Sequence, residues 1–230
     1  MSGDAPAAAG LLHTVPALAE TFQHRIGSMD PGLRLTHVAD PGLLARAIAT
    51  GVDDEVHERV LAHVRHLASS GAQAVMVTCS SIAESAERAA LTLDVPVLRV
   101  DEAMAEEAVR TAAEGGGLVT VLATLESTLG PTGRLLQRLA GGSGIRVRAS
   151  VVGGAARARG AGDRHEHDRL VAEAVAEAAA ESDVIVLAQA SMAAAAGSVT
   201  AVPVLESVST GSGRLAAMFR ADPGTGGGKC

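Results

Sequence analysis

Aromatic side chains are nearly missing from this chain: tryptophan and tyrosine do not occur, and phenylalanine occurs twice in 230 residues. That removes the platforms on which single-stranded nucleic-acid bases stack. A formal net charge of −7 also offers no basic face for phosphates, so no nucleic-acid partner is expected. Cysteine is equally scarce. Cys79 and Cys230 are the only two, too few for a disulfide framework or a zinc knuckle. No apolar run approaches the roughly 20 residues that a membrane span requires, and no membrane association is expected. The first ten residues lack the basic and long apolar segments of a secretory signal, so the expected location is cytoplasmic. A site built almost without aromatics suits a small polar substrate.

What the chain does contain is apolar residues at 47%, enough for one large domain or two small lobes around a shared cleft. Short β-branched apolar runs at 10–15, 33–38, 74–78, 95–100, 118–123, 145–151, 184–188 and 202–205 read as strands. Most are apolar on both faces, as a parallel sheet covered on both sides requires. Helical patterns lie between them. In 53–70, Val56, Val60, Val64 and Leu67 recur at spacings of three and four behind an acidic first turn. Segments 101–114 and 168–181 are alanine-rich helices of the same kind. The alternation predicts an α/β fold with parallel sheets flanked by helices.

An internal repeat divides the fold in two. Leu11-Leu12-His13-Thr14-Val15 matches Val121-Leu122-Ala123-Thr124-Leu125 at an offset of 110, and Val75–Cys79 matches Ile185–Gln189 at the same offset. Val95-Pro96-Val97-Leu98 returns as Val202-Pro203-Val204-Leu205 at an offset of 107. The reading is two pseudo-symmetric lobes, 1–116 and 117–207, with a C-terminal helix and tail at 208–230 returning to the first. Ligands of open parallel sheets bind beyond the carboxyl ends of the strands. Two facing lobes therefore gather His13 and Thr14, Thr78 to Ser81, Thr124 to Thr128, and Gln189, Ala190 and Ser191 at one cleft. A second reading of the hydroxyls stands beside this one, because Ser80, Ser127 and Ser191 suit helix N-caps.

Cys79 ends the run Val75-Met76-Val77-Thr78 and is followed by Ser80 and Ser81. A thiol there is expected to meet helix N-terminal N–H groups that lower its pKa from about 8.5 towards 7. The alternative is a buried structural cysteine. At 189, the corresponding position, stands glutamine.

The duplicated plan, with Thr-Cys-Ser-Ser in one lobe and Leu-Ala-Gln-Ala-Ser-Met in the other, resembles the aspartate/glutamate racemase superfamily. Hydantoin racemases, maleate isomerases and arylmalonate decarboxylases are relatives. Further support comes from Leu12-His13-Thr14-Val15, from Val97 to Glu102, from Gly162-Asp163 and from His167-Asp168, and the resemblance spans residue 10 to about Phe219. It implies an enzyme with no organic cofactor and no metal, in which two cysteines flank the carbon next to a carboxylate. Cys79 takes the first cysteine position and is the expected catalytic residue. Gln189 takes the second, and a neutral amide has no proton to give as a general acid. His13, Thr14, Ser80, Ser81, Thr124, Ser127, Thr128, Gln189, Ala190 and Ser191 are the expected substrate-binding positions. The resemblance implies an isomerase of racemase type acting on a small carboxylate or related carbonyl compound through one cysteine. A decarboxylase of the arylmalonate type and a non-catalytic acid-binding protein are the alternatives, and a homo-oligomer is compatible with either.

Other residues carry weaker signals. His13 stands at a strand mouth, either as a second base or as a core or capping histidine. His167 is read as a cleft-edge contact or as a helix residue. The His165-x-His167 spacing does not suggest a metal, because i and i+2 point apart on a helix and no third ligand is evident. Gly115-Gly116-Gly117 precedes a strand, whereas a phosphate loop follows one, so it reads as a linker. The glycine-rich region after the sixth strand, with Arg157 and Arg159, reads as a loop or as a lid whose arginine pairs a carboxylate.

Overall fold

The computed structural model describes residues 7–197 and 201–220. Eight strands alternate with nine α-helices among them: β1 Ala8–His13, α1 Leu18–Met29, β2 Arg34–Ala39, α2 Pro41–Thr50, α3 Asp54–Ser69, β3 Ala74–Val77, α4 Ala83–Ala90, β4 Val97–Arg99, α5 Glu102–Ala113, β5 Leu118–Ala123, α6 Glu126–Ala140, β6 Arg146–Val151, α7 Ala155–Gly160, α8 Arg164–Ala179, β7 Val184–Leu187, β8 Val204–Glu206 and α9 Ser207–Ala217. Short 3₁₀ turns at Ser80–Ile82 and Ala190–Gly197 follow β3 and β7. The fold is α/β, with two four-stranded parallel sheets ordered β2-β1-β3-β4 and β6-β5-β7-β8. No helix among the described residues is long and apolar enough to cross a membrane.

The repeat predicted from sequence is visible in the pairing. Leu12 lies opposite Val77 in the first sheet, and Leu122 lies opposite Leu187 in the second, each at the offset of 110. Val75 pairs Val97 and Ile185 pairs Val204, so the strands that follow Pro96 and Pro203 occupy equivalent edges. All eight expected strands are present, most with shifted ends and β5 with the ends expected. β1 stops at His13, which leaves Thr14 and Val15 in the turn.

Local chemistry explains the helix starts. The Asp53 carboxylate accepts the Val56 N–H at 3.0 Å and caps α3, whose buried face is Val56, Val60, Val64 and Leu67. Asp163 accepts the Glu166 N–H at 3.0 Å. That cap starts α8 four residues before the expected 168, placing His165 and His167 inside the helix. The expected loop at 153–162 contains the short helix α7.

Each sheet is covered on both faces, and the covering is exchanged between lobes. One face of the first sheet packs Leu12, Val75 and Val77 against residues of α2, α3 and α4. The other packs Ala9, Leu11 and Met76 against Phe22 and Ile26 of α1 and Val208 and Leu215 of α9. In the second sheet the equivalent face, with Val119, Val121 and Val186, packs on Leu135 and Leu136 of α6 and on Met104, Ala105 and Ala108 of α5. Thus α5 follows β4 of the first sheet but covers the second, and α9 follows β8 of the second sheet but covers the first. Gly211 allows α9 to approach closely, since a Cβ there would stand 2.7 Å from the Val100 carbonyl oxygen. Positions 1–6 and 221–230, including Cys230 in the expected C-terminal tail, lie outside the described residues.

Candidate active site

The carboxyl ends of β1, β3, β5 and β7 face one cavity of about 350 Å³. The first lobe contributes Thr14, Thr78, Cys79, Ser80 and Ser81, and the second contributes Thr124, Thr128, Gln189, Ala190 and Ser191. Apolar side chains Val15, Leu18, Leu44 and Leu125 complete much of the wall. The lobes touch at its edge, where the Ser81 and Thr128 hydroxyls are 3.1 Å apart and hydrogen-bonded.

Cys79 is a half-buried free thiol. Burial pushes its pKa up; the Thr14 hydroxyl and the Ser81 and Ile82 N–H groups pull the other way without prevailing. The sequence predicts a lowered pKa from those same N–H groups. Desolvation outweighs them here and favours the thiol over the thiolate.

Gln189 occupies the equivalent place in the second lobe with different chemistry. Its Oε1 accepts both the Thr124 backbone N–H, at 2.5 Å, and the Thr124 hydroxyl, at 2.9 Å. Thr14 stands beside Cys79 as Thr124 stands beside Gln189, each threonine 65 positions before its partner.

Two expected site residues are outside the cavity wall. His13 is completely buried at the end of β1. The Thr78 hydroxyl donates to the Leu12 carbonyl at 3.0 Å, so its oxygen accepts from His13 Nδ1–H at 2.8 Å. The other ring nitrogen of His13 lies 2.9 Å from His37 Nδ1, and the two rings stack at 5.2 Å between centroids. Burial, helped by the charge His37 would carry, lowers its pKa to about 4. Both nitrogens of His13 are engaged, and its ring is not part of the cavity wall. Ser127 also misses the wall, and its hydroxyl is buried without a hydrogen-bond partner. Neither Ser80 nor Ser127 is a helix cap, since Cys79 and Leu125 hold the cap positions and make no side-chain cap.

His167 is buried and bonded through Nδ1 to Asp168 at 2.8 Å, away from the cavity wall. Among the described residues no three His, Cys, Asp or Glu side chains gather as a metal-ligand set. Half-buried Arg159 of α7 does reach the wall, whereas exposed Arg157 does not. The sequence reads this segment as a loop or as a lid, and only its position after a strand end points Arg159 to the cleft.

Residues 12–212 match the Asp/Glu/Hydantoin racemase family. The chain belongs to that family. Solved structures share the fold. Glutamate racemase isoform RacE1 of Bacillus anthracis has a TM-score of 0.71 at 17% identity, covering 93% of this chain and 81% of that one. Aspartate racemase of Picrophilus torridus has a TM-score of 0.70 at 14% identity, covering 92% and 94%. A glycine-to-cysteine variant of arylmalonate decarboxylase in its sulfate-associated form has a TM-score of 0.60 at 20% identity, covering 94% and 97%. No curated protein matches the sequence significantly. This member of the racemase family has a cavity with one thiol, one amide and one guanidinium.

Proposed function

We propose that this protein is a cofactor-independent isomerase that moves a proton on a small carboxylate, or a related carbonyl compound, through Cys79. The observation that carries the reading is that Cys79 and Gln189, at equivalent positions of two lobes, line one cavity. A racemase that works from two faces needs a titrating group on each. Gln189 does not titrate, and His13 does not line the cavity. The proton therefore leaves and returns on the Cys79 side. Once the Cys79 thiol has given its own proton to solvent, the thiolate takes a proton as a carbon–hydrogen bond breaks, and the thiol so formed returns that proton to the same carbon or to a conjugated one. Thr14 and the Ser81 and Ile82 N–H groups offset the charge whenever the thiolate forms. Arg159 is the group suited to pair the substrate carboxylate.

The test is hydrogen–deuterium exchange next to the carboxylate across a panel of small acids, with the wild type, Cys79→Ala and Cys79→Ser. Loss of at least about 100-fold in both variants is expected for removal of a general acid/base. Exchange that survives both substitutions removes Cys79 from the reaction. Carbon dioxide release from a disubstituted malonate would move the assignment to a lyase.

A further inference from the structure

The cavity carries more information in its charge than in its size. Arg159 is the one charged side chain on its wall among the described residues, and no aspartate or glutamate stands there. Arg46, Arg59, Arg99, Arg134, Arg138 and Arg169 all pair with carboxylates. Arg159 has no such partner among the described residues, which leaves it matched to one anionic group of a ligand.

Gln189 adds a second demand. The Thr124 N–H can only donate, so the atom it meets is the amide oxygen of Gln189. The Thr124 hydroxyl holds that same oxygen. The amide is thereby fixed in one orientation, and what it has left for a ligand is its NH₂ group, a neutral donor. A carbonyl oxygen satisfies it. The third demand comes from Val15, Leu18, Leu44 and Leu125, which offer dispersion contact and no hydrogen bonds.

A protonated amine finds none of these terms favourable. It would be desolvated beside a guanidinium and an amide NH₂, with no carboxylate to balance it. The hydroxyls of Thr14 and Ser80 can accept its hydrogens but carry no charge to offset it, and a buried charge without a counter-ion is strongly disfavoured.

We infer that the cavity takes a small monocarboxylate bearing a neutral carbonyl oxygen and a compact aliphatic substituent, of which a branched 2-oxo acid is the simplest, and that it rejects α-amino acids. The carboxylate meets Arg159, the carbonyl oxygen meets the Gln189 NH₂, and the aliphatic group meets the leucine and valine wall. The assignment rests on the cavity being the reaction site of the isomerase described above. It separates this chain by substrate from relatives named for amino acids.

The matched pair 3-methyl-2-oxobutanoate and valine tests it, because the two share a carbon skeleton and differ in the carbonyl against the ammonium. Calorimetric titration of the full chain should give a Kd for the oxo acid at least about tenfold below those of L-valine, D-valine and aspartate, a ratio equivalent to about 1.4 kcal/mol. Gln189→Glu keeps an oxygen for both Thr124 donors and places a carboxylate in the cavity. That variant should weaken the oxo acid and strengthen valine, shifting the ratio at least about tenfold towards the amine. Valine or aspartate binding the wild type as tightly as the oxo acid would overturn the assignment. So would absence of binding by every acid at millimolar concentration, or an unchanged ratio in Gln189→Glu. Deuterium exchange at C3 of the oxo acid is a separate readout. Discriminating binding without Cys79-dependent exchange leaves the ligand class standing and ends the isomerase reading.

Discussion

Asp101 closes on Arg99 with both carboxylate oxygens, 2.7 Å from Nε and 2.9 Å from Nη2, and both side chains are almost wholly buried. The pair sits where the chain leaves β4 for α5, that is, where it passes from one lobe to the other. Glu87 of α4 holds the remaining face of the guanidinium at 2.5 Å, and Thr132 of α6 touches Asp101 at 3.4 Å. Removing one partner of such a pair leaves an uncompensated charge in the interior. Asp101→Ala is therefore expected to lower stability by about 3 kcal/mol, at the small end of the usual range because Glu87 remains. Urea unfolding monitored by circular dichroism measures it, and a loss below about 1 kcal/mol would contradict the account.

The pH dependence of stability should bear the mark of His13. Its folded pKa of about 4 lies below the unfolded value of about 6.5. Between those values the unfolded chain binds a proton that the folded chain refuses, so stability falls as pH falls. The contribution is whole above pH 6.5 and is lost by about 3 kcal/mol on reaching pH 4. Urea unfolding at a series of pH values in that window should show the slope. His13→Gln should flatten it, and an equal slope in the variant would assign the effect to other groups.

Gly211 tests the approach of α9 to the first sheet. A methyl group added there would stand 2.7 Å from the Val100 carbonyl and 3.1 Å from Val100 Cγ2. Neither the end of β4 nor the helix can yield without disturbing Val208 and Leu215, which are buried beside them. Gly211→Ala is expected to destabilise by about 1–3 kcal/mol, the usual range for overpacking. Gly213→Ala, which meets nothing within 4 Å, should be neutral or mildly stabilising, since alanine is the better helix former.

Cys79 should be a slow thiol. Burial raises its pKa, so less thiolate is present at pH 7 than in an ordinary thiol. In a Cys230→Ser background, iodoacetamide should modify Cys79 more slowly than glutathione at pH 7. The rate should keep climbing beyond the pH at which glutathione levels off. Faster labelling than glutathione at pH 7 would mean that the N–H groups, not burial, set its acidity.

Much of this is legible in the sequence. The offset of 110 that aligns Leu12 with Leu122 and Val77 with Leu187 in sequence is the register found in the sheets. It also brings Cys79 and Gln189 to one cavity. What sequence could not give was direction. His13 ends a strand whose side chains alternate, and a position there faces the cleft or the core according to a single step of register; it lies on the side of Leu11, its ring tilted against Phe22. Ser127 precedes Thr128 by one residue on α6, and a turn of about 100° per residue separates a wall position from one beneath it. The six residues of α7 are too few for a helical period, so Arg159 read as part of a loop. An amphipathic pattern likewise marks the buried face of α5 without saying which sheet receives it.

That exchange of helices bears on the order in which the molecule can be made. The face formed by Ala9, Leu11 and Met76 is covered by α1 and by α9, and α9 begins at Ser207. As the chain leaves the ribosome, all four strands of its first sheet emerge long before the helix that seals that face. The early-made half must therefore wait, with apolar surface open, until the late-made half has almost entirely emerged.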